Sequence, residues 1–512
     1  MITAPAVVGG LLGLVLAVAL LLAPPLGTDL SAQVARADFF SRHGFTPVDL
    51  RWYGGTTQYG YSWVSPAVMA ILGVRLTGAV ALVVSSIALG AILVRVDALR
   101  PRAGALLGAV AFAGNMVSGR VTFALGAALG LLALLVLTLS WREAIRFPLA
   151  AAVAVLASAT SPVAGAFLGV AGAAIALGGR RMLAGSFLAG GAAVPLGITA
   201  LLASDGGVMN ISDADAGHAI VTGLVVAALV RERTVRVGAL LSSVMVAGAY
   251  LVPSPVGLNA TRLAIMFALP VTAACAEIPS RLVRRMPVPA AWLVPVLAAM
   301  TLWQPPVLRG DLADAGNPTS GRVYFAPLLA ELALRQPVGR VEIPPTRNYW
   351  EAAYVADAVP LARGWLRQVD LDRNQLFFGG EISHEQYRSW LVDHGVAYVA
   401  LPDARLSWVG TTEARVIEAE PPFLRRVWHS EHWTLYEVEG LPSVVEGATL
   451  VASTAEAVTF DVAAPGTVLV RVTMSRWLRL RGPAVAEPRS QGRWTVVAVP
   501  VSGRYTLSSG TG

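Results

Sequence analysis

Three polar residues in an otherwise apolar half of the chain could do chemistry. Asp29 directly follows the first hydrophobic run, in Gly27-Thr28-Asp29-Leu30. A carboxylate there could act as a general base toward a hydroxyl, or simply cap the helix expected over Leu30 to Ser41. Arg120 and Arg262 each open a later apolar run, in Asn115-Met116-Val117-Ser118-Gly119-Arg120 and Gly257-Leu258-Asn259-Ala260-Thr261-Arg262. A guanidinium fork at a helix N-terminus suits a phosphate, and it also suits snorkelling to lipid headgroups. On the expected Leu30–Ser41 helix, Gln33 and Arg36 share a face with Phe40, whereas Asp38 points about 140° away from Gln33. Trp52, Tyr53, Tyr59, Tyr61 and Trp63 follow. Tyr61 and Trp63 fit an interfacial aromatic belt; Trp52 and Tyr53 lie farther from the next apolar run and could stack on sugar rings.

The elements that must position these residues are membrane helices. Of 512 residues 55% are apolar and only 14% charged, against about 25% charged in an ordinary soluble domain. Eleven apolar runs are expected as spans: 5–26, 75–94, 103–118, 121–140, 148–160, 162–178, 183–203, 218–230, 237–253, 262–279 and 288–304. All 39 basic residues are arginine, so Schiff-base and Walker-lysine chemistry is excluded. Residues 1–304 carry a net charge of +9 and residues 305–512 one of −2. With the N-terminus in the cytoplasm, 13 of the 19 arginines of the first part fall in short inner loops, among them Arg95, Arg100, Arg146, Arg180, Arg236 and Arg281, Arg284 and Arg285. Asp29, Arg120 and Arg262 then share the outer side. The 31 residues 148–178 are too long for one crossing, and Ser161-Pro162 is the expected bend between two halves.

This gives a transmembrane domain over 1–304 with a long outer loop at 27–66, and an extracytoplasmic mixed α/β region over 305–445. A small β-sandwich is expected over 446–512, from short alternating strands such as Val458 to Val462 and Trp494 to Val499. Glu351 to Gln368 and Ser383 to His394 are expected helices. Asp205, Asp213 and Asp215 read as a solvated loop, and the scattered histidines form no metal-ligand set. The single Cys275 excludes an internal disulfide. The basic residues sit between apolar runs and not on a soluble face, which excludes nucleic acid as a partner.

The segments GTDLSAQVARADFF and RWYGGTTQYGYSWVSP resemble the first loop of the GT-C superfamily of polytopic membrane glycosyltransferases, including the bacterial YfhO-like group. SGRVTFALG, ATSPVAGAFL and GLNATRLAIMFALP are similar to the same group, as are RGWLRQVDLDRNQLFF and HWTLYEV near the C-terminus. The resemblance implies a GT-C-like fold in the plasma membrane, with the C-terminal region outside. It implies transfer of a sugar from a polyprenyl-phosphate donor to a cell-envelope glycan or lipid acceptor; no cofactor is expected, and the lone acid at Asp29 weakens a metal-dependent reading. The first-loop base maps to Asp29, with Asp38 second. By position and chemistry the donor phosphate falls to Arg120 and Arg262, with Asn259 and Arg36 beside them, and the acceptor sugar to Trp52, Tyr53, Gln33 and Tyr59. Where many GT-C members pair two acids, this chain has Thr28-Asp29-Leu30. A transporter or lipid flippase, and a catalytically silent GT-C-like binding protein, are the alternatives.

Overall fold

A computed structural model describes residues 3–179, 181–203, 205–277, 292–336 and 338–510. Arg180, Arg281, Arg284, Arg285 and parts of the last two expected spans (278–279 and 288–291) lie outside the described residues. By packing, the chain forms two units. One comprises Met1–Gly27, Gly60–Ser204 and Val208–Ala315; the other comprises Thr28–Tyr59, Asp205–Gly207 and Gly316–Gly512. Most of the first loop, expected with the membrane half, thus packs with the C-terminal residues.

The first helices are α1 (Ala4–Leu22), α2 (Leu30–His43) and α3 (Ser65–Leu72), followed by α4 (Val74–Arg95), α5 (Pro101–Val117), α6 (Val121–Leu137) and α7 (Glu143–Thr160). Next come α8 (Pro162–Gly178), α9 (Met182–Leu202), α10 (Asp213–Leu229), α11 (Arg233–Leu251), α12 (Arg262–Cys275) and α13 (Leu293–Trp303). Every one of the eleven apolar runs contains a helix. Among the described residues six segments are long and apolar enough to cross a membrane: α1, α4, α7, α9, α11, and α12 with its preceding turn from Gly257. The other five runs hold shorter helices among the described residues, of which α6, α8 and α13 are apolar. Large apolar side chains such as Leu11, Val15, Leu201 and Val244 face outward, as a lipid-facing surface requires. The chain is a multi-pass membrane protein.

Small residues let these helices approach closely, because apolar side chains gain little from leaving lipid for one another. A Cβ on Gly185 would sit 2.4 Å from the Gly172 carbonyl, so α8 and α9 meet backbone to backbone. The expected bend is present: α7 stops at Thr160, Ser161 is extended, and its hydroxyl accepts from Ala164 N–H as α8 begins at Pro162. Several arginines expected in inner loops close helix C-termini. Arg100 donates to the Ala273 and Ala276 carbonyls, Arg236 to Val230 and Arg146 to Leu139. These cations meet the negative ends of α12, α10 and α6, so the arginines that would set orientation also satisfy orphan carbonyls.

After α14 (Arg309–Ala313) and α15 (Arg322–Arg335), the C-terminal unit alternates short helices and strands. The expected helix over Glu351–Gln368 is broken: α16 covers only Glu351–Tyr354 and α17 only Arg367–Arg373. Pro360 disfavours helix before it, and Leu361 and Ala362 N–H are taken by the Arg51 and Val341 carbonyls. α18 (His384–Asp393) forms as expected, closed by a capping box of Ser383 and Gln386. The last helix is α19 (Thr411–Glu418).

The first-loop strands β1 (Val48–Asp49) and β2 (Thr56–Thr57) pair with each other. β3 (Arg340–Glu342), β4 (Val396–Pro402), β5 (Leu424–His429) and β6 (Trp433–Val438) make a sheet in the order β3-β4-β6-β5. Only β3–β4 is parallel there. The remaining strands are β7 (Val445–Glu446), β8 (Thr449–Ser453), β9 (Ala457–Val462), β10 (Gly466–Thr473), β11 (Leu478–Arg481), β12 (Arg489–Gln491), β13 (Trp494–Val499) and β14 (Gly503–Ser509). They form two four-stranded sheets around Phe460, Val470, Val497 and Tyr505. Val48 and Leu50 of the first loop join this core.

Candidate functional site

In the membrane unit the two arginine-bearing helix starts come together. Arg262 opens α12 and its guanidinium lies 5.4 Å from the centre of the Phe123 ring, in the first turn of α6, three residues after Arg120. Arg120 occupies the N-cap of α6, and its carbonyl accepts from Asn115 Nδ2 at 3.3 Å. Asn259 lies in the 3-10 turn Gly257–Thr261 that leads into α12. Thr122 is held beside them by Ser65, hydroxyl to hydroxyl at 2.7 Å. Gly27, at φ +90°, is pressed on the Ser118-Gly119 backbone, where any Cβ would come within 2.2 Å. Asp29 follows Gly27 by two residues. Arg75, also expected outside, closes the C-terminal end of α1 by donating to the Leu20 and Ala23 carbonyls.

Phe123 and Leu263 also line one end of a cavity of about 1500 Å³ inside the helical unit. Its walls are apolar and include Ala127, Leu131, Phe167 and Phe267. Its lining follows α6 from Phe123 to Leu137, about 21 Å of helix rise, and ends among Arg95, Arg146, Arg181, Glu143 and Glu232. The cavity is a long, mostly apolar slot with charged side chains, Arg95, Arg146 and Arg181 among them, at one end and Phe123 at the other.

In the C-terminal unit, Asp29 is the N-cap residue of α2 and is half-buried, and its side chain makes no capping hydrogen bond. Gln33 and Arg36 are buried at 1% exposure, with Arg36 stacked over Trp52 at 5.6 Å. Asp38 is exposed, as its helical angle demands. Trp52 and Tyr53 are 0% and 2% exposed and offer no ring face to an acceptor. Trp52 Nε1 donates to the Ala352 carbonyl at 2.9 Å, and Tyr53 hydroxyl donates to Gly364 at 2.7 Å. Tyr59 is buried too, its hydroxyl bonded to the Phe45 carbonyl. In the membrane unit, Trp63 ties to Thr199 through Nε1 at 2.9 Å.

Two features escaped the sequence reading. One is a buried charge cluster. Arg363 donates to both Asp370 oxygens, at 3.0 and 2.9 Å, and to Glu413 at 3.0 Å, with Glu342 at 3.7 Å. Tyr387 hydroxyl donates to Glu413 at 2.9 Å. Burial and the neighbouring Glu413 hold the Glu342 carboxyl well above the usual carboxylate range. The other feature is a group of aromatic rings around Arg367, described below.

Glu351 is a separate buried carboxyl, bonded by Thr346 Oγ1 at 2.5 Å and Thr346 N–H at 3.2 Å. Burial pushes it up to about 7. Its folded value therefore exceeds the unfolded value of about 4.3, and the folded state keeps a proton that the unfolded chain releases. That stabilisation is complete below pH ~4 and is lost as pH rises toward 7. Thermal melts of Glu351→Gln at pH 5 and pH 8 are expected to differ less than those of the parent protein; an unchanged difference would refute this assignment.

Among the described residues no three His, Cys, Asp or Glu side chains are arranged to hold a metal ion. Asp205 accepts Thr57 N–H on both oxygens, Asp213 accepts Tyr250 hydroxyl, and Asp215 accepts Ser212 hydroxyl.

No family model matches the chain, and no curated protein sequence matches it. Among solved structures it is similar to the single-particle cryo-EM structure of arabinofuranosyltransferase AftD from Mycobacteria. That likeness has 14% identity and a TM-score of 0.46, over 99% of this chain and 57% of that one. A class 1 structure of a mutant of AftD gives 14% identity and a TM-score of 0.47, over 98% of this chain and 59% of that one. The chain thus spans less than two thirds of the length of the solved protein it is similar to.

Proposed function

We propose that the protein is a GT-C-type glycosyltransferase acting at the outer face of the plasma membrane, with its N-terminus cytoplasmic and its C-terminal region outside. The donor is a polyprenyl-phosphate sugar and the acceptor a hydroxyl of a cell-envelope glycan or lipid. One observation supports this reading: a mostly apolar slot of about 1500 Å³ that runs from Arg95, Arg146 and Arg181 to Phe123, whose ring centre lies 5.4 Å from the Arg262 guanidinium. In this reading an isoprenoid chain occupies the slot, with its phosphate at the Phe123 end, where Arg262 and Arg120 open α12 and α6.

In the proposed step the Asp29 carboxylate takes the proton from the acceptor hydroxyl. The acceptor oxygen bonds to the anomeric carbon as the bond from that carbon to the phosphate oxygen breaks. The electron pair leaves with the lipid phosphate, whose growing charge Arg120 and Arg262 stabilise. The reaction needs no oxidant or reductant.

The test is transfer by purified protein from a panel of polyprenyl-phosphate sugars, arabinofuranose included, to envelope glycan fragments. Transfer is expected with at least one donor. Arg262→Gln is expected to lower kcat/KM for the donor by roughly 10- to 100-fold, the worth of one charged hydrogen bond, and to leave the acceptor KM unchanged. No transfer from any donor, together with substrate uptake into protein-bearing vesicles, would overturn the reading in favour of a transporter.

A further inference from the structure

We infer that the C-terminal unit carries a saccharide-binding platform at Trp408, Phe378, Trp365 and Arg367. Among the described residues of this unit only two aromatic side chains are exposed, Phe45 and Trp408, the latter at 58%. Trp408 is displayed on a rigid turn. Ser407 and Val409 on either side are buried, Ser407 N–H donates to the Pro345 carbonyl, Gly410 N–H closes the turn on Ser407, and Thr411 hydroxyl donates to the Trp408 carbonyl. A Cβ on Gly410 would meet the Pro345 backbone at 3.0 Å, so the turn cannot move inward.

Behind the indole, a single guanidinium organises the other rings. Arg367 lies 5.4 Å from the Trp408 ring centre, 5.1 Å from Trp365 and 5.6 Å from Phe378. Its Nη2 donates to Tyr349 hydroxyl at 3.0 Å, and that hydroxyl is hydrogen-bonded to the Ser407 hydroxyl at 2.6 Å. Tyr349 stacks on Trp365 at 3.7 Å and holds φ at +59°, an uncommon backbone for a bulky residue. Phe378 meets Trp408 edge-on at 5.6 Å. A strained tyrosine and a half-buried cation thus hold a tryptophan in water, the reverse of what stability alone would select.

A sugar ring answers this arrangement. Its C–H face carries slight positive charge and meets the negative face of an indole, while its hydroxyls need donors and acceptors at the rim. The rim here is polar, with Asp403, Arg405 and Thr411 exposed beside the turn. A membrane anchor would instead need apolar neighbours. Under the transferase reading, on which this identification of the ligand rests, the platform holds the acceptor glycan.

The experiment titrates the full-length protein in detergent, without donor, using soluble hexasaccharides of furanose and pyranose sugars, read by tryptophan fluorescence and saturation-transfer NMR. Saturable binding of at least one is expected, about tenfold weaker in Trp408→Ala and partly restored in Trp408→Phe, with the thermal melt unchanged. No saturable binding, or binding indifferent to Trp408→Ala, overturns the platform. Loss of binding to anionic lipid vesicles in Trp408→Ala, with saccharide binding unaltered, overturns it in favour of a membrane contact. Saccharide binding in a protein that transfers no sugar would count against the transferase reading alone.

Discussion

Asp29→Asn is expected to cut sugar transfer by at least 100-fold while leaving the fold and donor binding intact. A positioned general base is worth about 10²- to 10⁴-fold, and the amide cannot take the acceptor proton. The usual objection to such a variant is that it unwinds a helix. Here α2 makes no use of the carboxylate as a cap, and asparagine caps as well as aspartate. The parallel variant Asp38→Asn, on the exposed side of the same helix, is expected to stay within about twofold of the parent rate. Initial rates at saturating donor, with circular dichroism on both variants, decide the matter. Equal losses in the two would show that the effect comes from the loop and not from one base.

Arg363→Met is expected to destabilise the C-terminal unit by about 3–5 kcal/mol, the usual penalty for stripping one partner from a buried ion pair. The guanidinium is bonded to Asp370 and Glu413, whose exposures are 3% and 0%. Methionine fills much of the volume and supplies no charge, so both carboxylates must take up protons or water must enter. Glu342→Gln should cost far less by contrast, because burial and the neighbouring Glu413 already favour the neutral form of that carboxyl. Near-UV circular dichroism melts of the full-length protein would show the first transition shifted down by roughly 6–20 °C and the second within ~2 °C. A silent Arg363→Met would mean that the cluster is hydrated.

The membrane half was legible because lipid imposes one rule on every residue in it. Runs such as 5–26 and 183–203 must satisfy their backbone internally, so composition alone located α1 and α9. The bend at Ser161-Pro162 was legible from covalent chemistry. Segments whose partners are distant in the chain were not. Glu351 to Gln368 has helical composition, but the extended backbone at Leu361 is set by Arg51 and Val341, which no local pattern reports. At the candidate site, Asp29, Arg120 and Arg262 stood out as polar residues at the ends of apolar runs. Trp52 and Tyr53 misled because a tryptophan that stacks on sugar and one that fills a core are the same letter. Trp408 left only a faint signal, a large ring in the polar stretch Pro402-Asp403-Ala404-Arg405-Leu406-Ser407.

The seating of the first loop among C-terminal strands sets a timetable for biosynthesis. Val48 N–H is taken by Ser509 Oγ, a sequence separation of 461 residues, and Trp52 bonds to Ala352 across 300. At ribosomal rates of about 5–20 residues per second, the loop waits roughly half a minute to a minute and a half for its last partner. For roughly the first two thirds of that interval Trp52 and Tyr53 lack the Ala352 and Gly364 carbonyls to which they bond. Biosynthesis must therefore keep a sticky early segment unaggregated until its C-terminal strands arrive, and truncation of those strands would harm the first loop as surely as mutation within it.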